Sequence, residues 1–195
     1  MVAGAEDDIA QRYVASPVGT LRLQAITAGV VGLSFAGVAA PCARGYHSHN
    51  QANTWLDRLE QQLHEYFQGS LHYFDLPLAP AGTAFQQQVW QALCSIPYAE
   101  TCSYRDLAEQ VQRPKGFQAV GQANSRNPIA IVIPCHRVIQ HDGSLGGYAG
   151  GSERKMWLLA HELKMHKQQG HEHNEDEHAK SKFNIPVSSH LKCVR

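Results

Sequence analysis

The sequence predicts an α+β protein: a small N-terminal β-sheet with a helix, then a mostly helical unit built around one cysteine. Three observations predict it. Residues 12–38 show short strand-like runs broken by Pro and Gly turns. Residues 52–69 and several segments between 83 and 166 switch to apolar spacing of three and four, the period of a helix. Between those helical segments lies NPIAIVIPCHRVIQHDG (127–143), an apolar run that ends with a thiol and an imidazole side by side.

The elements follow in chain order. RYVASPVGTLRLQAI reads as two strands around Ser16-Pro17-Val18-Gly19, and VVGLSFA (30–36) as a third. In ANTWLDRLEQQLHEYFQG, Leu56, Leu59, Leu63 and Phe67 fall on one helical face, and Gly69 stands where a helix-ending glycine would. LHYFDLPL (71–78) is a candidate strand, closed by Pro77 and Pro80. Thr83 and Gln86 are spaced as a capping box for a helix that buries Phe85, Val89, Leu93 and Ile96. Ser103 caps a helix over CSYRDLAEQV, and FQAVGQANS (117–125) is another after the turn QRPKG. Helix, short turn, helix is the helix-turn-helix pattern, and equally that of a plain helical corner. Asn127-Pro128 then leads into a buried strand before Cys135. A last helix, SERKMWLLAHELKMH (152–166), is expected to bury Met156, Leu159 and Leu163. The units divide at residues 1–80, 81–166 and 167–195, the last a polar, histidine-rich and disordered tail.

Composition excludes several classes. The 195 residues carry 43% hydrophobic and 17% charged side chains with a formal net charge of zero. That suits a globular protein and not a strongly basic nucleic-acid binder, so any DNA contact must use a local basic surface. No apolar run approaches a membrane span, and the acidic start MVAGAEDDIAQ lacks a signal-peptide core. Five cysteines without framework spacing point to reduced thiols and a cytoplasmic protein.

Cysteine reacts as the thiolate, so a reactive one needs a base or a positive field nearby. His136 is the obvious base beside Cys135, and a base needs an orienting carboxylate. Asp106, Asp142 and Glu162 all qualify by position. Against this stands the plain alternative of a buried structural thiol.

IPCHRVI, preceded by NP and followed by GYAGG, resembles the active-site signature of the O6-alkylguanine-DNA alkyltransferases. GTAFQQQVWQAL, SYRDLAEQV, AVGQANSRNP and WLLAHE fall in that family's order and spacing, so the likeness is strong from about residue 82 to 163. The resemblance implies a ribonuclease H-like N-terminal unit and a C-terminal unit with a helix-turn-helix. It implies that Cys135 accepts the alkyl group, that His136 takes its proton through a water, and that Glu162 orients His136. Asn127 would brace the turn, and Tyr104 would donate toward guanine N3. Gly147, Tyr148, Ala149 and Gly150, with Val138 and Pro134, would line the base pocket. No cofactor is implied. The partner would be double-stranded DNA with alkylated bases, bound by a monomer away from any membrane. Each molecule would act once.

The target atom lies inside the duplex, so its nucleotide must be flipped out. In the resembled family the second helix of the motif enters the minor groove. Here Ala119, Gly121, Ala123 and Ser125 would allow close approach. Arg105, Arg113, Lys115, Arg126 and Lys155 would supply positive charge. The family's usual arginine before AVG is Gln118 in this chain, expected to remain the wedge that fills the vacated stack. Phe117 beside it is a second candidate, although an aromatic there is more often core. The readings set against this one are a non-catalytic lesion sensor, a cysteine hydrolase, and metal binding by His171, His173 and His178 in the tail. His47 and His49 are expected to be ordinary loop histidines.

Overall fold

The computed structural model describes residues 9–37 and 51–170. Strands β1 (Ala10–Val14), β2 (Leu21–Ile26) and β3 (Gly29–Phe35) form an antiparallel meander in that order. Along β2 the buried residues Leu21, Leu23 and Ala25 alternate with half-buried ones, the period a one-sided sheet requires. Helix α1 (Gln51–Gln68) buries Leu56, Leu59, Leu63 and Tyr66 against that face. It ends at Gly69, φ 80°, where the Gly69 and Ser70 amides donate to the carbonyls of Tyr66 and Glu65.

Residues 71–78 are not the expected strand. Phe74, Leu76 and Leu78 are buried, but the chain makes only one bridge, from Leu78 to Val30. Pro77 and Pro80 have no N–H to give a ladder, so the apolar alternation is met by irregular chain.

The Thr83–Gln86 box caps α2 (Ala84–Leu93), with the Thr83 amide donating to Gln86 Oε1 at 2.8 Å. Its buried face includes Trp90, whose indole donates to Ala123 O at 2.9 Å and ties α2 to the segment 117–125. Phe85, expected in the core, is only half-buried. Helix α3 (Tyr104–Gln110) starts from a second capping box, between Ser103 and Asp106. A turn leads to α4 (Phe117–Ser125), which buries Val120, Ala123 and Asn124. Two short parallel strands, β4 (Cys102–Ser103) and β5 (Val138–Ile139), join the start of α3 to the chain after Cys135.

The run Ile129–Ile133 is buried as expected but is not a strand. It bridges β3 once, with the Leu33 amide donating to Pro128 O and the Ala130 amide to Leu33 O, both at 2.9 Å. It then coils on itself through Ile131, φ 69°, a region that β-branched residues avoid. An apolar run fits a buried turn as well as a buried strand.

Helix α5 (Ser152–Gly170) extends past 166, so residues 167–170, expected in the tail, are helical. Its inward face is also not the one expected. Lys155, Leu158, His161 and Glu162 are buried, while Met156 is 58% and Leu163 46% exposed. Buried hydrogen bonds and charge pairs, not apolar spacing, choose which side turns in. The rest of the tail, with His171, His173 and His178, and the segment holding His47 and His49 lie outside the described residues. Cys94 is disulfide-bonded, against the expectation of reduced thiols, while Cys102 and Cys135 are free. Among the described residues no helix is long and apolar enough to cross a membrane.

Candidate active site

Cys135 opens a single 3₁₀ turn, Cys135–Arg137, immediately after the coiled Ile129–Ile133 run. Asn127 holds that geometry. Its Nδ2 donates to Ile133 O at 2.8 Å and meets Cys135 Sγ at 3.0 Å, and its Oδ1 accepts from the Ile129 amide at 3.0 Å. One side chain therefore fixes both ends of the coil and touches the thiol.

Of the three carboxylates that position alone left open, Asp106 bonds its own cap Ser103 and Asp142 bonds Ser144. Glu162 reaches His136, with Oε1 2.8 Å from Nε2. Both residues are fully buried. Glu162 also takes two bonds from Arg137, Nε to Oε2 and Nη2 to Oε1, each at 3.0 Å. Tyr66 OH donates to Oε1 at 2.8 Å and the Ala99 amide to Oε2 at 3.1 Å. Arg137 Nη1 is spent on Ile96 O at 2.7 Å. Arg137, Tyr66 and Ala99 escaped sequence reasoning. Tyr66 lies three residues after Leu63, on the buried face of α1, and a buried phenol needs a partner. Arg137 was visible only as the residue after His136. Nothing in the sequence marked Ala99.

The electrostatics follow from this packing. Desolvation opposes the Glu162 charge, but His136 and Arg137 overcome it and hold the carboxyl well below its ordinary value. Glu162 is thus an acceptor only. His136 Nε2 must carry the hydrogen, and Nδ1, buried without a protein partner, keeps its lone pair. Burial lowers the His136 pKa more than Glu162 raises it, so the ring rests neutral. Burial pushes the Cys135 thiol up to about 11, against the lowering effects of Asn127 and Lys155.

Lys155 is not the exposed cation that the sequence suggested. It is fully buried, with Nζ donating to Val138 O at 2.6 Å and to Leu145 O. Desolvation lowers it to about 8. It staples the chain on either side of the 140–144 turn and cannot reach a phosphate. Val138 itself is buried in the core. Tyr104 OH lies 3.4 Å from Gly147 O, and Tyr148 sets its ring edge against His136 at 6.5 Å and against Phe35 at 5.9 Å. Gly150 is buried where a Cβ would sit 2.4 Å from the Phe35 ring, so this loop lies flush on β3. Ala149 and Gly147 are exposed.

On α4, Gln118 and Ala119 are exposed and Gly121 faces the Tyr104 ring, 3.7 Å from where its Cβ would be. Arg105, Arg113, Lys115 and Arg126 are exposed around the two helices. Phe117, the second candidate wedge, is 51% exposed at the head of α4 and not in the core where such an aromatic more often sits.

Comparison with known proteins bears on the family and the fold. The family model described as "6-O-methylguanine DNA methyltransferase, DNA binding domain" matches residues 84–164, and the ribonuclease-like domain of the same family matches residues 9–80. A methylated-DNA–protein-cysteine methyltransferase of Methanosarcina acetivorans is 42% identical over 150 residues, covering 74% of this chain and 92% of that protein. One from Methanosarcina barkeri is 58% identical over 99 residues, which span 51% of this chain and 63% of that protein. The crystal structure of a Mycobacterium tuberculosis O6-methylguanine methyltransferase superposes with a TM-score of 0.70 at 40% identity, over 80% of this chain and 94% of that one. The OGT of that organism in complex with DNA superposes with a TM-score of 0.69 at 40% identity, over 80% of this chain and 93% of that one.

Proposed function

Because the chain belongs to the 6-O-methylguanine DNA methyltransferase family, we propose that it repairs DNA by moving one alkyl group from guanine O6 to Cys135. One observation carries the reading. Cys135 and His136 share a turn whose histidine is bonded to Glu162 through Nε2, leaving Nδ1 as a base with no other task. A water between Sγ and Nδ1 would pass the thiol proton to His136, and Glu162 would stabilise the imidazolium that forms.

The thiolate then attacks the alkyl carbon. The S–C bond forms as the C–O6 bond breaks, and its electron pair goes to the guanine. Guanine leaves more easily when that charge is met by a proton, and Tyr104 would donate toward N3. Its hydroxyl donates over 3.4 Å to Gly147 O and also meets the Asn124 side chain. A thioether has no route back, so each molecule acts once, as a monomer and without a cofactor. The exposed Ala149 beside the site is small enough to admit groups larger than methyl, alkylated thymine included.

Double-stranded DNA would lie along α4, with Arg105, Arg113, Lys115 and Arg126 near phosphates and Gln118 or Phe117 in the vacated stack. Apolar side chains serve as such wedges in the minor groove. Pro134 and the loop 147–150 would enclose the flipped base.

The test is mass spectrometry of the protein after incubation with a duplex carrying one O6-methylguanine. The expected result is one methyl group on the Cys135 peptide, at most one per molecule, and none in Cys135→Ala. DNA retained without methyl gain would instead indicate a lesion sensor. Repeated turnover of an ester would indicate a hydrolase.

A further inference from the structure

The N-terminal unit carries no motif that suggests chemistry, yet one of its side chains reaches the buried carboxylate. Tyr66 is fully buried near the end of α1, and its hydroxyl donates to Glu162 Oε1 at 2.8 Å. Oε1 is the same oxygen that faces His136 Nε2. We propose that Tyr66 is a positioning residue for the alkyl transfer, setting through Glu162 the proton affinity of His136. The inference rests on the roles assigned above to His136 and Glu162.

The argument is one of competition for a single oxygen. Oε1 accepts from His136, Arg137 and Tyr66. Each donor draws charge density from the carboxylate, and a hydrogen bond to an ion is stronger than a neutral one. The more Tyr66 takes, the less Glu162 pulls a proton onto His136. The phenol is a dependable donor. Burial, reinforced by the carboxylate, holds it well above its ordinary titration range, so it stays protonated wherever the protein is folded. Its ring is fixed by Phe74, Tyr98 and His161 at centroid distances of 5.6, 6.2 and 5.5 Å, so the hydroxyl has no freedom to turn away.

Other groups face the His136–Glu162 pair, and none duplicates this one. Arg137 and Cys135 come from the same turn, Lys155 from α5, Tyr98 from the turn after α2, and Tyr148 from the loop before α5. Arg137 brings a charged guanidinium, not a neutral hydroxyl. Tyr98 OH and Tyr148 OH are buried without a protein partner. Besides His136 itself, Tyr66 is the neutral donor to Oε1 among the described residues. It makes the N-terminal unit part of the proton path, beyond buttressing it.

Tyr66→Phe removes the hydroxyl and keeps the ring. The measurement is an NMR titration of the histidines in the full chain, with the His136 signal identified by its loss in His136→Gln. The expected result is a His136 midpoint raised by roughly half to one pH unit, or a titration appearing where the parent shows none. Each unit is a tenfold change in proton affinity. The acid limb of single-turnover methyl transfer should move up by the same amount. Leu56→Ala, in the same helix but away from the carboxylate, should lower the melting temperature and leave the midpoint in place. An unmoved midpoint in Tyr66→Phe overturns the proposal, whatever happens to stability. So does an equal shift in Leu56→Ala, since that would be general loosening. If the parent protein transfers no methyl group, the alkyl-transfer reading fails, while the titration still decides what Tyr66 does.

Discussion

At Cys135 two influences oppose each other. Burial holds the sulfur as a thiol, while Asn127 and the ammonium of Lys155 favour the thiolate. The resting protein therefore keeps its sulfur as a thiol until something shifts that balance. Lys155 acts here from inside, and that separates it from the arginines and lysines on the surface. A side chain that neutralises a phosphate releases a counterion and steepens the salt dependence of binding by about 0.9 per contact. Arg126→Ala should flatten the slope of log K against log salt by about that amount. Lys155→Met should leave the slope unchanged and slow methyl transfer, because it frees Val138 O and Leu145 O from their common donor. Anisotropy of a labelled duplex over a salt series, with the single-turnover rate measured beside it, checks both. A flattened slope in Lys155→Met would place that ammonium on the DNA after all.

Between the two helices of the helix-turn-helix the chain ends α3 on Gln112, φ 56°, with the Gln112 and Arg113 amides donating back to Glu109 O and Ala108 O. This is the closing turn that glycine usually makes, built here on a residue with a side chain. The left-handed conformation costs a non-glycine residue about 1–2 kcal/mol, partly offset by the greater freedom of glycine when unfolded. Gln112→Gly should accordingly stabilise the protein by about 1 kcal/mol and raise Tm by a few degrees, read by calorimetry. A fall in Tm would mean that the exposed Gln112 side chain makes a contact worth more than the strain. The sequence made elements of this kind legible where local chemistry decides. Ser103 and Thr83 mark helix starts because their caps are satisfied within three residues. Gly69 marks an end for the same reason. It failed where distant partners decide. Proline-interrupted chain at 71–78 and the coil at 129–133 both looked like strands, because burial sets the apolar pattern and only β3 sets the pairing. On α5 the apolar spacing of Met156 and Leu163 pointed to the wrong side, since the inward face is chosen by Glu162 and Lys155. In the site, motif residues Cys135, His136, Asn127 and Glu162 could be named in advance by resemblance. Tyr66 and Ala99 could not, because they come from elements whose own sequence carries no chemistry.

For the molecule as a whole, Glu162 is where the fold closes. Its two oxygens collect donors from α1, from the turn after α2 and from the turn that holds His136, while the carboxylate itself rides on α5. Stability and the proposed function therefore share one charge. Glu162→Gln should lower stability at neutral pH by about 3–5 kcal/mol, because it leaves the Arg137 guanidinium buried without its counter-charge. The pH dependence carries the sharper test. The folded carboxyl titrates well below its ordinary value of 4.5, so the unfolded chain takes up this proton first as pH falls. Its contribution is thus complete above about pH 5 and shrinks with each step into acid, by roughly 1.4 kcal/mol per pH unit. Other acid-sensitive groups, Asp106 and Asp142 among them, keep their share in the variant. Urea unfolding of both proteins from neutral pH into acid should give curves that converge, the parent falling faster by about one proton's worth. Parallel curves would mean that the Glu162 charge contributes no net stability, and that its place at the junction of four elements serves the chemistry at His136 alone.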